Sequence, residues 1–114
     1  MNLLDTDVII LMIREKKYAP GAISPVTLIE VLRGIDTKKR AKVKQLLEES
    51  FPLIDLDNSV IETYCSIYQS LKKDGSSLPD ADLLIAATAI AHAVILKTGD
   101  AHFQRLKPLG LKLA

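Results

Sequence analysis

The chain predicts an α/β domain: a mostly parallel sheet of four to five strands, covered on both faces by helices. Three observations predict it. Short apolar runs alternate with stretches of helical spacing, the pattern of parallel strands joined by crossover helices. The strand-like runs, Leu3-Leu4 and Ala93-Val-Ile-Leu-Lys97, are continuous rather than alternating, as strands buried on both faces are. Two of them end abruptly in acids and hydroxyls, Asp5-Thr6-Asp7 and Thr98-Gly99-Asp100. In open α/β sheets that carboxyl edge is where ligands bind. The 114 residues make a single domain, 1–114, large enough for a core without staples.

Each element has a local reason. Strand Asn2 to Asp5 passes into a helix running from Thr6 or Asp7 to Lys17, with Val8, Ile9, Leu11 and Met12 at helical spacing and Thr6 or Asp7 as N-cap. Tyr18-Ala-Pro-Gly21 breaks it. Ala22 to Ser24 is a second short strand, and Ser24-Pro25 starts the next helix with Ser as N-cap and Pro at the first position. That helix carries Leu28, Ile29, Val31 and Leu32 around Glu30, and Gly34 ends it. Thr37 to Ser50 is amphipathic, with Ala41, Val43, Leu46 and Leu47 inward and five Lys/Arg between Lys38 and Lys44. Phe51 to Asp57 is a third strand, followed by Asn58-Ser59 as caps of a long helix ending near Lys73. After the loop Asp74 to Ser77, Pro79-Asp80-Ala81-Asp82 opens an Ala-rich helix to about His92. Ala93 to Lys97 is the fourth strand, a helical turn holds His102, Phe103 and Leu106, and Leu111 to Leu113 is a fifth, edge strand.

Composition narrows the function. The apolar fraction is 48% but the aromatic fraction only 4%, with no Trp, so the core is aliphatic and base stacking contributes little to any nucleic-acid recognition. A formal charge of +1 gives no overall basic field, and a polyanionic partner needs a local patch. Cys65 is alone, which excludes an intramolecular disulfide and a cysteine-rich zinc site. No apolar run reaches spanning length and no basic leader precedes the first strand, so the expectation is a cytoplasmic protein with no membrane partner.

The chemistry lies in the acids. Asp5 follows strand one, Asp82 opens a helix where the dipole favours its ionised form, and Asp100 follows strand four. Glu30 sits among apolar neighbours and needs a partner or exposure. Four carboxylates in one pocket repel until a cation joins them. Oxygen ligands without thiols or paired imidazoles select Mg²⁺ or Mn²⁺ over zinc. Such a site can activate water and clamp the oxygens of a phosphodiester.

Four blocks carry a family resemblance: Leu3-Leu-Asp-Thr-Asp-Val8, Ile23-Ser-Pro-Val-Thr-Leu-Ile-Glu-Val-Leu-Arg-Gly34, Leu78-Pro-Asp-Ala-Asp-Leu-Leu-Ile-Ala-Ala-Thr-Ala89 and Leu96-Lys-Thr-Gly-Asp-Ala-His-Phe103. In this order they resemble the motif blocks of PIN domains, and most closely the VapC-type toxins of toxin–antitoxin pairs. The resemblance spans essentially the whole chain. It implies a three-layer α/β/α fold and an Mg²⁺- or Mn²⁺-dependent endoribonuclease. Its metal-binding acids would be Asp5, Glu30, Asp82 and Asp100, with Thr98 holding the site and Thr6 assisting. It also implies a homodimer, an RNA substrate and a small VapB-like antitoxin whose tail enters the acidic cleft. The chain departs from the pattern at Asp7, where Asn or Ser is frequent, and at Asp80, an additional acid beside Asp82; the Asp-Leu-Leu-Ile-Ala-Ala spacing favours Asp82 as the ligand.

Blander roles stand beside these. Asp5 can cap the next helix, Glu30 can pair with Arg33 three positions on, Asp82 can be a first-turn acid and Asp100 a turn residue. Asp7 and Asp80 divide evenly between cap and outer site residue. His92 suits a helix C-terminus, His102 solvent, and Cys65 a small place in the core. Two other functions compete. A non-cleaving PIN-like RNA-binding module would keep the fold alone. A phospho-accepting receiver domain would use Asp5, Asp7, Asp55 or Asp57, Thr98 and Lys107, but leaves Glu30, Asp80 and Asp82 without a task.

Overall fold

The computed structural model describes residues 1–114. Strand β1 (Asn2–Leu4) pairs in parallel with β2 (Ile95–Lys97), Leu3 opposite Leu96. Single parallel bridges extend this pair on both sides: Leu3 with Ala22, Ile23 with Leu53, and Leu96 with Leu113. Across the sheet the segments therefore run 52–54, 22–23, β1, β2, 112–113, all parallel. All five expected strand segments are present, three of them held only by single-residue bridges: 22–23 by one on each side, 52–54 and 112–113 by one each.

The physical reason differs at the two edges. Pro52 has no N–H, so the outer segment is held only by Ile23 N–H on the Pro52 carbonyl at 3.0 Å and Ile54 N–H on the Ile23 carbonyl at 2.9 Å. Beyond it the chain leaves the sheet, and Asp57 is a helix cap rather than strand. At the other edge Leu96 N–H bonds the Lys112 carbonyl at 2.8 Å and Ala114 N–H bonds the Leu96 carbonyl at 3.0 Å.

The helices are α1 (Thr6–Glu15), α2 (Pro25–Leu32), α3 (Thr37–Ser50), α4 (Asn58–Lys73) and α5 (Asp80–Ala91), followed by a 3₁₀ helix over Ala101–Leu109. Neighbouring strand residues point to opposite faces, and the two cores obey this. Leu3, Ala22 and Leu96 pack with α4, α5 and the 3₁₀ helix, through Val60, Ile67, Leu83, Ile85, Phe103 and Leu106. Leu4 and Ile23 pack with α1, α2 and α3, through Ile9, Met12, Leu28, Val31, Leu32 and Leu47. One apolar face on each side of a parallel sheet makes three layers, α/β/α.

Several local expectations are corrected. The α1 N-cap is Asp5, not Thr6 or Asp7, and α4 is capped by Asp57, whose Oδ1 accepts from Val60 N–H at 3.0 Å, not by Asn58-Ser59. Ala93 is not in a strand: it takes the left-handed conformation (φ 53°) that stops α5. α3 buries only Leu47, while Ala41 and Leu46 are exposed, because α2 is the helix it packs against. Cys65 is exposed on α4. His92 Nε2 lies 2.9 Å from Asp57 Oδ2, tying the end of α5 to the start of α4 instead of bonding carbonyls.

Candidate active site

The chain crosses from β1 leftward to 22–23 and 52–54, then returns to lay β2 on the other side of β1. The order reverses there, and such a switch point opens a crevice at the strands' carboxyl ends. Asp5 stands in it. Its N–H still bonds the Lys97 carbonyl at 3.0 Å, so the residue is held by the sheet. Its carboxylate is buried, with Oδ1 accepting from Thr6 N–H at 2.8 Å and Oδ2 accepting from the Thr98 hydroxyl at 2.6 Å. The Thr98 oxygen in turn accepts Asp100 N–H at 3.0 Å, so one hydroxyl orients both strand outlets. Between them Gly99 N–H donates to Asp7 Oδ2 at 3.1 Å; a Cβ on Gly99 would stand 3.0 Å from that oxygen. Burial pushes the Asp5 carboxyl up to about 6, the nearby Asp7 carboxylate adds to the rise, and the Thr98 bond opposes it.

Glu30 reaches the same edge from α2. Its Oε1 accepts the Thr6 hydroxyl at 2.7 Å, and the Thr6 oxygen also lies 3.2 Å from that of Thr27, which is fully buried. On the solvent side Arg33 Nη2 stands 3.7 Å from Glu30 Oε2. Both the apolar-helix and the Arg33 reading of Glu30 therefore hold: the residue is half-buried and faces the site with one oxygen and a cation with the other.

Asp82 and Asp80 separate. Asp82 is half-buried in the first turn of α5, and its carboxyl is raised by burial, then by the charges of Asp100 and Glu30, against a lowering by His102. Asp80 is exposed and turned away, accepting the Tyr64 hydroxyl at 2.6 Å, which pushes that phenol up to about 12. Asp100 caps the 3₁₀ helix: its Oδ1 accepts His102 N–H at 2.9 Å and the His102 ring Nδ1–H at 2.8 Å. The backbone bond is the main reason its carboxyl is lowered, and Arg105 lowers it further.

Asp82 thus feels the charges of Asp100, Glu30 and Asp7, Asp5 feels that of Asp7, and Thr6 and Thr98 tie Asp5, Glu30 and Asp100 to the same edge. No three of these acids stand at chelating spacing. Asp55 is exposed, and Asp57 sits beside His92 at the far end of α5, about 15 Å along that helix from Asp82 by its rise per residue. The receiver arrangement is therefore not formed. Sequence reasoning missed Thr27, Arg105 and the bond of His102 to Asp100. Thr27 carried a signal, since it lies three residues before Glu30 on the same helix face. Arg105, whose Nη1 donates to the Ser77 carbonyl at 3.2 Å, carried none.

The family model of the PIN domain matches residues 3–108, and the chain belongs to this family. It is 38% identical over 115 residues to Ribonuclease VapC1 of Methanocaldococcus jannaschii, covering 97% of this chain and 85% of that protein. It is 33% identical over 110 residues to Ribonuclease VapC1 of Rickettsia felis, covering 84% and 82%. DNA-bound VapBC from Salmonella typhimurium shares the fold with a TM-score of 0.86 at 20% identity, over 99% of this chain and 96% of that one.

Proposed function

We propose that the chain is a divalent-metal-dependent endoribonuclease and the toxin of a VapBC-type toxin–antitoxin pair, acting in the cytoplasm as a homodimer. Relatives over nearly the whole chain carry the name ribonuclease, and neighbours of the same fold were solved as VapBC pairs, which supports a small VapB-like antitoxin as partner. No helix is long and apolar enough to cross a membrane. The observation that supports the reading is the Thr98 hydroxyl bridging Asp5 and Asp100 N–H, with Glu30 held by the Thr6 hydroxyl and Asp82 feeling the charges of Glu30 and Asp100.

The donor set fits a hard divalent cation: four carboxylates, no thiol, and mutual repulsion that such an ion relieves. Asp5, Glu30, Asp82 and Asp100 would hold Mg²⁺ or Mn²⁺, which when bound lowers the pKa of a water and offsets charge on a phosphodiester. The protein's own part is positioning. Thr6 N–H and the Thr98 hydroxyl fix the plane of the Asp5 carboxylate, so its rotamer is set before substrate arrives. The Thr6 hydroxyl does the same for Glu30, while Arg33 offsets part of its charge. Burial, and after it the charges of Asp100 and Glu30, raises the Asp82 carboxyl, and its charged form is the one that would serve as a ligand.

The test is cleavage of a mixed RNA pool with Mg²⁺ or Mn²⁺, with chelator, and with Asp82→Asn. Wild-type cleavage that both chelator and the variant abolish is expected. RNA bound but left intact by the wild type would favour the non-cleaving module.

A further inference from the structure

We propose that the solvent face of the first half of α3 is the track on which the RNA phosphate backbone is held, an inference that rests on the ribonuclease reading. Lys38, Lys39, Arg40, Lys42 and Lys44 lie within seven consecutive residues of one helix and are all exposed. Only Lys44 has an acidic partner, Glu48 at 2.9 Å; the other four form no ion pair. Folding does not account for them. Three fall in the first turn, where cations oppose the helix dipole, and that turn holds no acid. The helix buries one side chain, Leu47, near its other end. A chain of net charge +1 thus concentrates a third of its 15 Lys and Arg on a face that packs against nothing.

Topology puts that half of the helix on the right side of the molecule. α2 leaves the carboxyl edge of the sheet at Ser24, and α3 must deliver Phe51 to the opposite edge so that Leu53 can run parallel to Ile23. At about 1.5 Å per residue α3 spans about 21 Å, so its basic start lies toward the carboxyl edge and its Leu47 end away from it. Arg33, at the end of α2, links the two regions: it pairs with Glu30 of the crevice and precedes Lys38 by five residues. A single strand whose scissile phosphate sits among carboxylates needs cations for the flanking phosphates, and these are the cations that the fold leaves unpaired. Lysines acting as point charges on phosphates position a strand without reading its bases.

The experiment measures binding of a fluorescent single-stranded RNA to the full chain in chelator, across a salt series. It compares wild type, the triple variant Lys38→Ala, Lys39→Ala, Arg40→Ala, and the control Lys72→Ala, Lys73→Ala at the end of α4. Each phosphate contact on a single strand contributes about 0.7 to the log–log salt slope. The triple variant should lose about 2 from the slope and bind roughly 100-fold more weakly near 0.1 M salt, with the control unchanged. Lys38→Arg, Lys39→Arg should keep both slope and affinity, and the triple variant should melt no lower than wild type. An unchanged slope in the triple variant, or a loss confined to the control, overturns the track. A wild type that binds RNA through α3 but never cleaves it overturns the ribonuclease reading and leaves the track standing. Loss of binding to an acidic peptide with RNA binding intact assigns the face to a protein partner and overturns the proposal.

Discussion

Asp5 ends a strand, caps a helix and faces the crevice, and these demands conflict. The sheet keeps it buried, and burial favours its neutral form. The sign of the pH effect follows. The unfolded side chain titrates at the ordinary 3.8 and the folded one at about 6, so the folded state holds an extra proton between them. That contribution is present below the lower value and is lost as pH rises through the upper one. Asp82 shifts in the same direction. Asp100 shifts the other way, so its contribution is lost as pH falls. Denaturant unfolding of the metal-free chain should give about 1.4 kcal/mol less stability near pH 7 than near pH 5, the equivalent of one pKa unit. Asp5→Asn, which keeps an oxygen for Thr6 N–H, should flatten most of that slope. Thr98→Val removes the hydroxyl that orients Asp5 and accepts Asp100 N–H. It should weaken metal affinity by roughly 10–100-fold, with the fold retained by circular dichroism.

The acids themselves were legible in the sequence, because each sits where an apolar run stops or among apolar neighbours. What fixes them was legible only in part. Thr98 follows a strand and could be read as a support, but the bond from Thr6 to Glu30 joins residues 24 positions apart, which no local pattern encodes.

At the level of elements, caps and stops decide the boundaries. Two residues past the end of α5, Ala93 takes a conformation that costs an L-residue about 1–2 kcal/mol, with Val94 N–H on the Ala89 carbonyl at 3.0 Å. Ala93→Gly should therefore raise stability by about 0.5–1 kcal/mol after its own entropy is subtracted, read as a higher denaturant midpoint with unchanged slope. Asp57 joins α4 to α5 through one oxygen on Val60 N–H and the other on His92. Asp57→Ala should cost about 1 kcal/mol as a lost cap. Sequence reading placed these caps one or two residues late because Thr6, Asp7, Asn58 and Ser59 are all credible caps, and the choice depends on where the strand or loop releases the chain. It over-buried α3 for a related reason. Leu46 and Leu47 are adjacent, and which one faces inward depends on the side α2 occupies.

For the molecule as a whole, the alternation of strand and helix predicted the layers, and adjacent residues Leu3 and Leu4 entering different cores bear that out. The brevity of the outer strands was not readable, since whether such a segment pairs through one residue or several depends on how the helices place it against the sheet. Phe103, buried in the core that also holds Leu96 of β2 and residues of α4 and α5, anchors the 3₁₀ helix that follows the Asp100 outlet. Phe103→Leu should lower stability modestly, by about 1–2 kcal/mol, and Phe103→Ala by about 3–5 kcal/mol, measured by chemical denaturation.

The claim at the centre is that four carboxylates from distant parts of the chain serve one divalent cation. Calorimetric titration of Mn²⁺ into the wild type, Asp5→Asn and Asp82→Asn at about pH 6 tests it most directly. Binding by the wild type with proton release, lost in both variants while their fold persists, is the predicted result. Equal binding by all three chains would contradict it.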